Sequence, residues 1–181
     1  MKVPVSGKIV QFNQKFFLSL SILLICFFID RISKIYVVNL FIKNNVNDLY
    51  INKYINITLL WNKGIAFGLL QSETLVYQLI TFIIFLIIIF ILYLIYKSEK
   101  IIELIGFSAI AGGAMGNLTD RFYYNAVPDF IDIHYNSFHW FTFNVSDICI
   151  SVGIFLILFS DVISLKNKNE EIINDDKKEN N

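Results

Sequence analysis

Charge is what this chain is short of. Only 17% of its 181 residues are Asp, Glu, Lys or Arg, too few to give a soluble domain of this length a polar surface, and most fall between apolar runs or at the ends. Fifteen positive charges cancel fifteen negative ones, so no basic field is present to hold nucleic acid. Cysteine occurs twice, at Cys26 and Cys149, each inside an apolar run. That excludes a disulfide framework and leaves the thiols as packing groups. Histidine also occurs twice, as His134 and His139, without the spacing of known zinc sites. No metal is therefore expected, and both rings are assigned to a wet interface. Alanine is absent before Ala66, which denies the first apolar run a small-x-small cleavage site and makes it a retained anchor. In its "LLIC" segment Ile25 occupies the place where lipid attachment requires a small residue.

What the chain has instead is apolar length: 56% of its residues are hydrophobic. Four runs, about 16–38, 75–96, 101–120 and 144–165, are long enough to cross roughly 30 Å of hydrocarbon at about 1.5 Å per helical residue. The expected fold is an all-α integral membrane protein of four transmembrane helices in a single domain over 1–165. Ile55, Ile57 and Leu59 alternate before Gly64 and Gly68, which predicts a small extracytoplasmic β platform in the first outer loop. Residues 166–181, charged, Asn-rich and without apolar periodicity, are expected to form a disordered and dispensable cytoplasmic tail. Lys2, Lys8, Lys15, Lys97, Lys100, Lys166 and Lys168 favour cytoplasmic termini, while Lys34, Lys43, Lys53, Lys63 and Arg121 fall on the opposite side.

Polar residues gather at one end of three of the four runs. The first ends in Asp30, Arg31 and Lys34, the third carries Gly112, Gly113, Gly116 and Asn117 before Asp120 and Arg121, and the fourth starts at Asn144 and Asp147. Topology confines the segment between the third and fourth runs to one membrane face, so Asp129 and Asp147 approach each other there, the first on a re-entrant loop after Pro128. Carboxylates at a bilayer edge are costly. Two that share a proton can act as base and acid towards a water attacking a peptide carbonyl.

Plainer readings stand beside this one. Asn144 and Asp147 fit a helix N-cap pair, Asp30 and Lys34 an i,i+4 ion pair, Gly112 and Gly116 close helix packing, and Asp120 with Arg121 an interfacial anchor. Trp140, Phe141 and Phe143 fit interfacial aromatics. A small transporter or assembly subunit would use the carboxylates for a proton or cation path, but the second run is apolar apart from Gln78 and Thr81 near one end. A metallopeptidase built on Asp129, Asp132 and His134 lacks the fixed ligand spacing of zinc enzymes.

Five ordered segments carry a resemblance. They are Asp30 to Lys34, "NKGIAFG" from Asn62, "GGAMGNLTDR" from Gly112, "VPDF" from Val127, and "FNVSD" ending at Asp147. In order and spacing the chain resembles the lipoprotein signal peptidase, or type II signal peptidase, family over the four spans and both outer loops. The resemblance implies that Asp129 and Asp147 form an aspartic catalytic dyad. Asp30, Lys34, Asn62, Gly64, Asn117, Asp120, Arg121 and Asn144 would then support the dyad, bind substrate or hold the helices. It implies a monomer in the bacterial inner membrane, without cofactor, that meets membrane lipids and cleaves diacylglyceryl-modified prolipoproteins just before the lipidated cysteine. Ser146 stands where the family usually has Ala, and Ile65 where it has a small residue. The first is expected to add a hydrogen bond beside the dyad, the second to narrow the substrate channel.

Overall fold

The computed structural model describes residues 5–45, 48–64, 74–136 and 138–179. Ile65 and Gly68, on which the channel and hairpin expectations partly rest, lie outside them. Among the described residues the elements run in the order α1 (Val5–Asn44), β1 (Asp48–Asn52), β2 (Ile55–Asn62), α2 (Thr74–Lys97), α3 (Ile101–Tyr124), β3 (Val127–Tyr135), β4 (Phe138–Phe143) and α4 (Val145–Glu179). Each helix contains a stretch long and apolar enough to cross a membrane: Asn13–Asn44, Leu75–Lys97, Ile101–Tyr124 and Val145–Ser164. The expected four-span fold is observed.

Leu, Ile and Phe supply the apolar lengths, and a left-handed residue then stops several elements. Asn45, Asn125 and Asn136 adopt φ of 50–53°, a conformation Asn tolerates better than other residues that carry a Cβ. They stand after α1, after α3 and in the turn after β3. The spans nevertheless run past the sequence boundaries, because Asn39 to Asn44 and Arg121 to Tyr124 contain no helix breaker. The backbone of α4 stays helical to Glu179; residues 166–179 include neither Gly nor Pro, and seven of these fourteen are Lys or Glu.

Helix α3 is the central post, packed along α1, α2 and α4. Half of its spanning window is buried, against a small share in the other three, whose Phe, Ile and Leu side chains face outward in the manner of lipid-contacting surfaces. Its glycines permit this. A Cβ on Gly113 would lie 2.6 Å from the Ser146 backbone oxygen, and one on Gly116 would lie 2.5 Å from an Asp30 carboxylate oxygen and 2.6 Å from the Ser146 hydroxyl. Small residues in "GGAMG" thus admit both neighbouring helices.

The platform is larger than the sequence suggests. All four strands form one antiparallel sheet in the order β1-β2-β3-β4, so both loops contribute to it. The segment after Pro128 is a strand and not a re-entrant loop: Trp61 pairs with Pro128 and Leu60 with Asp129. Pro128 is tolerated because it lies at the start of the strand. Phe130 packs with Val37 and Phe41 of α1, which seats the sheet on the helix bundle.

Candidate active site

Three asparagines build the site, each by the same device. A carboxylate only accepts hydrogen bonds, so an amide serves it only when its NH2 faces the carboxylate, and the amide oxygen must then find a donor elsewhere. Asn62 Oδ1 accepts the Gly64 N–H at 2.9 Å, and its Nδ2 donates to Asp129 Oδ2 at 2.9 Å. Asn144 Oδ1 accepts the Asp147 N–H at 3.1 Å, and its Nδ2 donates to Asp129 Oδ1 at 2.5 Å. Asn117 Oδ1 accepts from Lys34 Nζ at 2.7 Å, and its Nδ2 donates to Asp147 Oδ1 at 2.9 Å. The Asn144 N–H closes the ring by donating to Asp147 Oδ2 at 3.2 Å.

The N-cap reading of Asn144 and Asp147 is therefore observed as a reciprocal capping box at the start of α4. The same asparagine reaches across to Asp129. Cap and carboxylate pair are one arrangement: fixing the first turn of α4 sets the position of Asp147, and the cap residue's amide NH2 joins it to the strand.

Asp129 is 3% exposed. Burial pushes its carboxyl up from an ordinary value of 3.8 to about 6, against hydrogen bonds from Asn62 and Asn144, with the charge of Asp147 adding to the rise and that of Lys34 opposing it. The group is thereby poised to take up or release a proton close to neutrality.

Behind the two carboxylates lies a buried ionic cluster. Lys34, 1% exposed, contacts Asp30 Oδ2 at 2.9 Å and Asp120 Oδ2 at 2.7 Å. Asp30 Oδ1 accepts the Ser146 N–H at 2.9 Å, placing a negative charge at the positive end of α4. Arg31 forms a short ion pair with Asp120. The Asp30–Lys34 pair of the sequence reading is present, but as part of a larger group in which Lys34 also holds Asn117, which in turn holds Asp147. The anchor reading of Asp120 and Arg121 is corrected, because the two side chains part company. Asp120 turns to α1, whereas Arg121 donates to the Gly64 carbonyl at 2.8 Å and lies over the Tyr77 ring at 5.3 Å. Ser146 Oγ sits 3.5 Å from Lys34 Nζ, within the ionic cluster. The sequence reading left Arg31 out of the site; its adjacency to Asp30 at the polar end of α1 was the available signal.

The two carboxylates and their asparagines open onto a cavity of about 1140 Å³. Asn62, Gly64, Asn117, Arg121, Asp129, Asn144 and Asp147 line its polar end. Ile80, Ile83, Ile84 and Ile87 of α2 face Ile148 and Val152 of α4 along its apolar length. Both of these helices pack closely on α3, so the cavity extends between them at membrane depth. Trp140, Phe141 and Phe143 of β4 form part of its wall, a place that interfacial aromatics alone do not explain. Asp30, Lys34 and Asp120 stand outside the lining.

A family model described as signal peptidase II matches residues 22–163. The lipoprotein signal peptidase of Pelagibacter ubique is 43% identical over 159 residues, spanning 87% of this chain and 95% of that protein. The lipoprotein signal peptidase of Anaplasma phagocytophilum is 35% identical over 72% of this chain and 82% of its own length. That of Coxiella burnetii is 36% identical over 77% of this chain and 86% of its own. A solved structure of a bacterial membrane enzyme superposes with a TM-score of 0.68 at 26% identity, covering 83% of this chain and 91% of the other.

Proposed function

Since the chain belongs to the signal peptidase II family, we propose that it is an aspartic endopeptidase that removes signal peptides from diacylglyceryl-modified prolipoproteins, with Asp129 and Asp147 as its catalytic pair. The observation that carries this reading is the joining of the two carboxylates by one residue, Asn144, at the polar end of a cavity that continues between two membrane-spanning helices.

In the reaction one carboxyl is ionised and the other protonated. The ionised member takes a proton from water as the water oxygen attacks the scissile carbonyl, and the protonated member donates to the developing oxyanion. The tetrahedral intermediate collapses as its C–N bond breaks and the amine nitrogen takes up a proton from the pair. Asn62, Asn117 and Asn144 hold the carboxylates in register. Gly64 and Arg121 line the channel beside them, positioned to meet the substrate backbone. Asp30, Lys34 and Asp120 position Asn117 and the start of α4.

The cavity's shape suits the substrate. A lipid-bearing cysteine keeps its acyl chains at membrane depth, where the isoleucines of α2 and α4 offer apolar contact worth about 0.8 kcal/mol per buried methylene. A monomer suffices for this chemistry, because Asp129, Asp147 and the asparagines that hold them lie on one chain. It spans the bacterial inner membrane with both termini in the cytoplasm and the sheet outside, in keeping with the lysines near its ends and in the turn between α2 and α3.

The test is to incubate purified protein in detergent with a diacylglyceryl-modified precursor and with its unmodified twin, each with and without EDTA. Cleavage before the modified cysteine, little cleavage of the twin, and indifference to the chelator are expected. Equal cleavage of both substrates would overturn the lipid dependence. Loss of activity with EDTA in protein that remains folded would overturn the metal-free chemistry.

A further inference from the structure

Alternate residues of β3 serve different faces. Asp129 and Ile133 line the cavity, whereas Phe130 packs against α1. Asp132 and His134 follow Phe130 at two-residue spacing and are 2% and 6% exposed. His139 on β4 pairs directly with His134, and the two rings stack at 5.3 Å. Asp132 Oδ2 lies 2.7 Å from His139 Nδ1 and 3.7 Å from His134 Nδ1. One donor atom from each of the three residues falls within 4.8 Å of the others.

Two buried atoms of this group, Asp132 Oδ1 and His134 Nδ1, have no hydrogen-bond partner. Asn56, which pairs with Asp132 across β2 and β3 and so shares its face, has a buried amide oxygen in the same condition. Orphaned buried polar atoms are costly and uncommon, and three of them on one patch of sheet demand an explanation. A hydrogen-bonded His139–Asp132 pair accounts for neither His134 Nδ1 nor Asn56 Oδ1.

We propose that Asp132, His134 and His139 form a binding site for a borderline divalent transition metal of the zinc class, separate from the catalytic pair. Two imidazole nitrogens with one carboxylate oxygen suit zinc, and are poor in oxygen for calcium or magnesium. A fourth position would be filled by water or by the Asn56 amide oxygen. Mostly exposed, at 58% of its side chain, His139 is free to swing onto the ion. The ligands join β3 to β4, and these strands carry Asp129 and the aromatic wall of the cavity. The metal acts as a clasp on that wall and touches no reacting group, so the inference stands independently of the proposed cleavage reaction.

The test uses the full chain in detergent, free of any polyhistidine tag. Zn2+ is titrated in competition with a chromogenic chelator, and Co2+ is followed by its visible absorption. One Zn2+ per chain, a higher melting temperature with Zn2+, and Co2+ bands of a nitrogen- and oxygen-ligated tetrahedral ion are expected. His139→Ala removes an exposed ring, so the fold without metal stays intact. Its Zn2+ affinity should fall at least about tenfold, as even partners behind a ligand are worth that much. Asp132→Asn should weaken binding likewise. Absence of saturable Zn2+ or Co2+ binding in the parent chain, or unchanged binding in His139→Ala, would overturn the site.

Discussion

Replacing Asp129 by Asn should change how stability depends on pH more than stability itself. Burial holds the Asp129 carboxyl at about 6 instead of 3.8. In that interval the folded chain retains a proton that the unfolded chain has released, so folding is favoured as pH falls through about 6 and the gain is complete near 4. Above about 6 both states are ionised, and the folded state bears the full cost of a buried charge. A gap of roughly two pH units at 1.36 kcal/mol each makes that cost about 3 kcal/mol. The substitution removes it. It also turns one accepting oxygen into an NH2 that faces the NH2 of Asn62 or Asn144, a donor-to-donor conflict of about 1–3 kcal/mol. The two effects nearly offset each other at neutral pH and leave the conflict alone at low pH. The variant should therefore melt near the parent temperature at neutral pH and below it near pH 4, as followed by the fluorescence of Trp61 and Trp140. Turnover per folded molecule should drop by several orders of magnitude. A melting-temperature difference that is constant across this range would refute the burial argument, and substantial activity in folded Asp129→Asn would refute the dyad.

Asp147→Asn should also abolish turnover while the protein folds, and substantial cleavage by the purified variant would remove Asp147 from the pair. Asp30→Asn should behave in the opposite way. It weakens the partner of a fully buried Lys34 and the acceptor of the Ser146 N–H, at a cost of about 3–5 kcal/mol, so the melting temperature falls while activity per folded molecule largely survives. Gly116→Ala should destabilise by about 1–3 kcal/mol, because its Cβ would meet Asp30 and Ser146 at 2.5 and 2.6 Å; an unchanged melting temperature would show that the helices part easily. Truncation after Lys168 should leave activity and stability near normal, and a collapse in melting temperature would show that the end of α4 supports the bundle.

The four spans were legible in the sequence because a bilayer imposes a length and a polarity that local composition must meet. Asp129 and Asp147 were legible as a pair because two adjacent spans force the segment between them to one membrane face. The N-cap pattern at Asn144 and the i,i+4 pair at Asp30 and Lys34 could be read locally, since each depends on a few neighbouring residues. Nothing local announces that Asn144 also reaches Asp129, or that Lys34 holds Asp120 and Asn117 from another helix. Those contacts join residues 15 and 83 positions apart, and the second depends on the close approach to α1 that Gly116 allows along α3. The strand after Pro128 was missed for the same reason. Its pairing partner is β2, more than sixty residues earlier, and a sheet forms only when both loops reach the same face. His134 and His139 gave no ligand spacing along the chain, because their approach is across strands, where the hairpin register of β3 and β4 sets the geometry. The sequence by itself determined a four-span membrane chain with carboxylates at one face. Only the tertiary structure decided which amides turn towards those carboxylates and which charges stay behind them, because every such choice rests on a donor or acceptor supplied by a different element.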